Sequence, residues 1–425
     1  MICTCLVVLS GFFFIAAAQN EPVDPVLSKE NIEHFDIDVA SQRYFDMLTP
    51  EQKARSDAYF EGGYWIMLGG FLMQLAIAWI FLSLGLSAWI NRITSKAKRI
   101  NIRNLIYILF YLFFAFLMAF PFSVYTGFFR EHRYGLSNMT FPLWLSEEMI
   151  SLSLILVFGS LLIMVLYIVM RKTIGQWWIW GSIVSIVFMI FLFFISPVFI
   201  SPLFNDYKPL EEGAIKEDIL SMARANGVPV DNVYQFDASK QSTRISANVS
   251  GIGRTIRISL NDNLLNRCTP AEVISVMAHE LGHYVLNHIY KLVIYFSLVL
   301  IIGFAFVNFF MKKLITRFSA KWGINNISDI NSLPLFVVVF SFYILIATPV
   351  INNISRITEI EADLFELNAA REPDASASIA MKLSEYRKIN PGRLEEIIFY
   401  DHPSGKIRVM MAMTWKVENL KKKAY

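Results

Sequence analysis

Six stretches of the chain are almost uninterruptedly apolar: residues 63–90, 105–127, 149–170, 177–200, 291–311 and 335–351. About 20 such residues, wound as a helix, cross the hydrocarbon core of a bilayer, so each stretch predicts a spanning helix. The last is short, and is expected to continue as a helix past the membrane surface. A seventh apolar stretch, residues 2–18, ends in Ala16-Ala17-Ala18-Gln19. Its length and small-residue end fit a cleaved signal peptide, while the lack of Lys or Arg ahead of it fits a retained first span. The pattern leaves both open.

The polar positions complete the plan. Residues 1–18 are a signal peptide or first span, 19–62 a polar, acidic segment, and 63–200 a block of four spans. Residues 201–290 are polar again, 291–351 carry two more spans, and 352–425 form a polar tail. Two spans separate the last two polar segments, which places both on one side of the membrane. Within the first, residues 210–226 predict a helix that stops at Gly227-Val228-Pro229, and 231–260 predict strands. Thr255 to Leu260 alternates apolar and polar, the period of a half-buried strand.

Composition sharpens this picture. Hydrophobic residues make up 55% and charged residues 17% of the 425 residues, against roughly 25% charged in an average soluble protein. Mean hydropathy is +0.47. The chain reads as a polytopic α-helical membrane protein with six or seven spans. A net charge of +3, from 38 Lys and Arg against 35 Asp and Glu, advertises no nucleic-acid partner. Three cysteines, Cys3, Cys5 and Cys268, exclude a disulfide scaffold and a C-x-x-C zinc site.

Charge also bears on orientation. Arg92, Lys96, Lys98, Arg99 and Arg103 follow the first main span, Arg171 and Lys172 the third, and Lys312, Lys313, Arg317 and Lys321 the fifth. These loops share one side, which the positive-inside rule makes cytoplasmic. Residues 201–290 and the tail would then face the periplasm or a lumen. The basic tail itself runs against this arrangement, and its Lys422-Lys423-Ala424-Tyr425 reads as a solvated basic end or a dilysine retrieval signal. Asn138-Met139-Thr140 is a glycosylation sequon whose use depends on the compartment. The membrane is accordingly a bacterial inner membrane or the endoplasmic reticulum.

The chemistry centres on His279-Glu280-Leu281-Gly282-His283, which spends two of only six histidines. Thr269, Pro270 and Glu272 form a helix-start signature just upstream. Residues four apart on a helix share a face, so His279 and His283 can bind one Zn²⁺ while Glu280 acts as general base. A third ligand is needed. Glu359 and Asp363 are four apart and on the same side of the membrane, whereas Glu361 points roughly 200° away from Glu359. Glu359 as ligand, with Asp363 holding a ligating histidine by its other ring nitrogen, fits one face. His288, nine residues after His279, would lie about 180° round a continuous helix, away from the metal. His34 and His132 read as structural.

The zinc motif, the Glu359-x-x-Ala362-Asp363 helix two spans later, and the closing His402-Pro403 with Arg408 resemble the type I CAAX prenyl endopeptidase family. The similarity runs from about residue 55 through most of the chain and includes Phe236-Asp237-Ala238-Ser239-Lys240. It implies spans around a water-filled chamber and a small α+β zinc-protease domain of gluzincin type. It also implies one zinc per chain, with Glu359 as third ligand and with His402 and Arg408 beside the substrate carbonyl. An edge strand at Ser246, Ala247 and Asn248 would pair with substrate; the family usually shows Asn-Ala where this chain has Ser246-Ala247. The expected partners are the lipid membrane and a peptide or protein substrate that a prenyl group can anchor, cut after the manner of CAAX processing. A broader quality-control or signal-peptide-remnant protease is the alternative. A scaffold or transporter with structural zinc would want four protein ligands, which so few Cys and His do not supply.

Overall fold

The computed structural model describes residues 35–251 and 256–424, with side chains to Asn419; the 2–18 stretch and His34 lie outside these residues. Helix α1 (Ile37–Phe45) is capped by the Asp36 carboxylate. Helix α2 (Pro50–Ser83) starts at a reciprocal cap between Thr49 and Gln52. The single span expected over 63–90 is divided in the structure. Gly85 sits at φ +80, a left-handed conformation that glycine adopts without strain, and a separate helix α3 (Leu86–Thr94) follows.

Three long helices come next: α4 (Ile100–Arg133), α5 (Phe141–Lys172) and α6 (Trp177–Leu203). In α4 a π-turn follows Pro121, and in α6 one contains Pro197. Proline lacks the N–H that the helical ladder needs, and a wider turn absorbs the lost bond. Two further long helices, α10 (His288–Trp322) and α11 (Leu333–Ala370), follow the polar segment. With these, six helices among the described residues are long and apolar enough to cross a membrane. Their shared core includes Phe81, Tyr107, Tyr167, Trp177, Phe304 and Met311. Two of the polar groups inside it are paired, Tyr167 Oη with Ser332 Oγ at 2.8 Å and Trp177 Nε1 donating to Asn308 Oδ1 at 2.9 Å.

The polar segment between α6 and α10 folds into a four-stranded sheet, β1 (Tyr207–Pro209), β2 (Val233–Phe236), β3 (Ala247–Ser250) and β4 (Arg257–Asn261). Their order is β1-β2-β4-β3, with β2 and β4 parallel and the other pairs antiparallel. Alternation at the end of the strand region predicts a half-buried β4. The structure instead buries Ile258, Ser259, Leu260 and Asn261 alike. Asn261 uses its side chain as a connector, donating to Arg244 O and accepting from Ser246 N and Leu264 N.

Helices α7 (Ala214–Ala225), α8 (Asp262–Arg267) and α9 (Pro270–Val285) pack with the sheet around Ile219, Val233, Ile258, Leu260 and Met277. Helix α10 (His288–Trp322) recrosses the membrane and α11 (Leu333–Ala370) returns. At 1.5 Å per residue α11 is about 57 Å long, against a hydrocarbon core of about 30 Å. Its second half therefore stands clear of the apolar stretch, as the short final run implied. Helices α12 (Pro373–Leu383), α13 (Arg393–Phe399) and α14 (Gly405–Ala424) close the C-terminal polar region, with α12 and α14 packed together over α1.

Candidate active site

Helix α9 opens as the sequence predicts, with Thr269 and Glu272 capping each other and Pro270 in the first turn. The Glu272 carboxylate is buried and also receives Ser378 Oγ at 2.6 Å and Lys382 Nζ at 2.7 Å from α12. That ties the start of α9 to the C-terminal region. Its other end runs against α11 at Gly282. A Cβ there would stand 3.0 Å from the Phe365 ring, so a side chain would push the two helices apart.

This close approach brings three donors together. His279 Nε2 and His283 Nε2 are 3.0 Å apart, and they lie 3.2 and 3.5 Å from the two carboxylate oxygens of Glu359. Ligands held tetrahedrally about 2.0–2.1 Å from a metal sit about 3.3 Å from one another, so the spacing is that of a metal's coordination sphere. His279 Nδ1 is 2.9 Å from Asp363 Oδ1. Although burial acts against it, Asp363 and Glu359 hold the metal-free His279 imidazole well above its ordinary range, so the site favours a positive charge at this position. Four carboxylates, those of Glu280, Glu359, Asp363 and Glu366, crowd near the Arg408 guanidinium, and this further favours a divalent ion.

A second group, His279, Asp363 and Glu366, also has three donor atoms close together. Asp363, however, is ion-paired with Arg408 and lies on the Nδ1 side of His279. A carboxylate in that place orients a ligating histidine. The group with His283 and Glu359 is therefore the candidate metal centre. Burial lowers the His283 imidazole to about 3, which keeps it neutral and able to bind metal.

Glu280 points into a crevice of about 110 Å³ lined also by Ser246, Ala247, Tyr386, His402 and Arg408. Burial above all, aided by the Glu359 carboxylate, pushes Glu280 up to about 7 in the metal-free protein. His402 presents Nε2 3.2 Å from Glu359 Oε2, and its Nδ1 lies 2.8 Å from Asp401 Oδ1. The loop carrying it is pinned to α11, because Arg356 Nη1 donates to both Glu396 O and Tyr400 O at 2.6 Å. Glu361 faces away from the three donors, as helix geometry predicts, and binds Lys291 Nζ at 2.5 Å.

Strand β3 is an edge strand, and Ser246 and Ala247 line the crevice while Asn248 does not. Asn261 N donates to Ser246 O, and Asn248 pairs with Ser259. In antiparallel pairing such bonds alternate, so the peptide groups of Ala247 and Val249 point to the open edge.

Sequence reasoning misplaces one position and misses another. Continuing α9 through His288 puts that residue opposite the metal. The helix actually ends at Val285, Asn287 takes φ 58, and His288 comes back to within 2.9 Å of His283. Glu366 lines the crevice, and no motif in the sequence draws attention to it. Its spacing of seven from Glu359 puts it on the same helix face, a signal the sequence does carry. His132 is structural, as expected, bridging Phe128 O and Met139 O at 2.8 and 2.9 Å.

Two imidazoles and a poised glutamate on α9, facing a carboxylate on the extension of the membrane-crossing α11, define an integral-membrane metalloprotease. The chain belongs to peptidase family M48. Residues 209–416 match the profile of that family, and residues 40–206 match the one described as "CAAX prenyl protease N-terminal, five membrane helices". In that range the described residues hold four helices of spanning length and the nine-residue α3. The Bacillus subtilis protein described as "Uncharacterized metalloprotease YhfN" is 31% identical over 281 residues, 66% of each chain. CAAX prenyl protease 1 of Saccharomyces cerevisiae is 29% identical over 307 residues, 68% of this chain and 67% of that one. The alignments thus span about two thirds of these relatives' lengths. The crystal structure of S. mikatae Ste24p shares the fold with a TM-score of 0.71 at 23% identity, covering 93% of this chain and all of the other.

Proposed function

We propose that the protein is a zinc endopeptidase in which His279, His283 and Glu359 hold one Zn²⁺. The convergence of three donor atoms within 4.8 Å, next to Glu280 and an open sheet edge, carries this reading. Zinc bound there supplies a Lewis acid that polarises the scissile carbonyl and acidifies a water. The other steps fall to side chains. Glu280 accepts the water's proton at its carboxylate and returns it to the leaving amine. Asp401 steadies His402, so that Nε2 faces the carbonyl oxygen, while Arg408 is fixed by Asp363; both suit the stabilisation of an oxyanion. Substrate lies extended along β3, donating to and accepting from Ala247 and Val249. Ser246 and Asn248, bonded inward to β4, then hold the strand rather than the substrate.

On the likeness to relatives named CAAX prenyl protease 1, the substrate is the C-terminal end of a prenylated CAAX protein, from which a tripeptide is removed. The basic loops favour a second reading, an outward-facing site that clears damaged membrane proteins or signal-peptide remnants. Glu280→Gln tests the chemistry. The variant should keep stoichiometric zinc, because Glu280 is not a ligand, and lose on the order of 10²-fold or more in peptidase rate. Full activity in zinc-loaded Glu280→Gln would overturn the mechanism. Cleavage of a farnesylated CAAX peptide, compared with its unprenylated form and with a signal-peptide fragment, separates the two substrate readings.

A further inference from the structure

His288 is only 1% exposed and has no part in the mechanism above. Its Nδ1 lies 2.9 Å from Nδ1 of His283, and its Nε2 lies 2.8 Å from Glu361 Oε2. Lys291, one turn further along α10, holds that same carboxylate oxygen at 2.5 Å. Five positions apart on an unbroken helix, the two histidines would point about 140° away from each other. The left-handed residue Asn287 breaks the helix and turns His288 back under His283.

Two ring nitrogens at hydrogen-bond distance need one proton between them. If His283 binds metal through Nε2, its proton is on Nδ1 and is donated to His288 Nδ1. His288 then keeps its own proton on Nε2 and donates it to Glu361. This assignment satisfies both contacts with two neutral rings, and Lys291 balances the carboxylate. His279 has a carboxylate, Asp363, behind it; His283 has an imidazole with a carboxylate one step further back.

We propose that His288 is a positioning residue for the metal centre. It accepts the Nδ1 proton of His283, passes on the polarisation of Glu361, and so fixes the tautomer and ring plane that turn Nε2 toward the metal. The inference rests on His283 and Glu359 being ligands. Partners of this kind contribute about 10–100-fold to metal affinity.

The test measures zinc affinity of the purified full chain by competition with a chelator, alongside zinc content. His288→Asn places an amide oxygen where Nδ1 stood and should bind within a few-fold of the parent. His288→Gln reaches the Nε2 position but offers His283 no acceptor at Nδ1, and should bind about 10–100-fold more weakly, as should His288→Phe. Glu361→Gln, on a half-exposed side chain, should weaken binding by a smaller factor. Parental affinity in the Gln and Phe variants would overturn the proposal, and so would equal loss in Asn and Gln, which would indicate packing alone. Glu359→Ala is the control: if it binds zinc like the parent, the ligand assignment has failed and not the relay.

Discussion

At the scale of single residues, the candidate metal centre is built from short helical spacings. His279 and His283, Glu359 and Asp363 each stand four apart, and that arithmetic makes them legible in the sequence alone. His288 is not legible there, because the projection assumes a helix that Asn287 interrupts. The helix face is right for Glu361, which turns away from the three donors and instead pairs with His288. Two predictions belong here. Asp363→Ala should weaken zinc binding by about 10–100-fold, since it frees the Nδ1 side of His279, and chelator competition reads the loss. Glu280 must be ionised to take a proton, so kcat/KM should rise with pH along the acid limb. A bound cation favours the carboxylate, so the limb should lie lower than the position, about 7, to which burial pushes Glu280 in the metal-free protein. A pH–rate profile of Glu280→Asp should show the limb displaced; an unmoved limb would assign it to another group.

At the scale of elements, the spans are legible as hydropathy and the α9 start as a capping pattern. Strand β4 misleads because alternation reports the chemistry of side chains, whereas burial depends on neighbours. Its polar residues lie inside, Asn261 bonded to the chain on either side of it. The division of the first span is hidden because Gly85 looks like any other glycine in an apolar run. Strand β3 offers an element-level test of substrate pairing. Val249→Pro removes an N–H that faces the open edge and leaves the β4 ladder intact, so it should raise KM or lower kcat/KM by about tenfold, one lost hydrogen bond of about 1–1.5 kcal/mol, with zinc content unchanged. Asn248→Pro removes a ladder bond instead and should lower thermal stability. If both variants behave alike, substrate does not pair at this edge.

At the scale of the whole molecule, protease parts from before α10 and after the middle of α11 meet on one side of the bilayer. Two spans between them require that much, while the identity of the side rests on the loop charges. Ser95 and Ala214 lie at opposite ends of the helical bundle and both are exposed. With the three native cysteines replaced, Ser95→Cys and Ala214→Cys can be probed with a membrane-impermeant thiol reagent on intact cells. Labelling at 214 alone supports the outward site implied by Arg92, Lys96, Arg171 and Lys312. Labelling at 95 alone would put the site in the cytoplasm and favour CAAX processing.

Helix α11 has one more consequence. The same rod that fills the bilayer holds Glu359 eight residues beyond the apolar run that ends at 351, while His279 and His283 sit on α9, which packs on α11 at Gly282 and is also locked to α12. A change in acyl-chain length makes a long span tilt or shift to match the new thickness. Here a tilt of α11 would pull α9 against its lock on α12 and so strain the spacing of the three candidate ligands. The lipid then becomes a variable of the metal centre, and zinc affinity measured across vesicles of graded chain length should pass through an optimum.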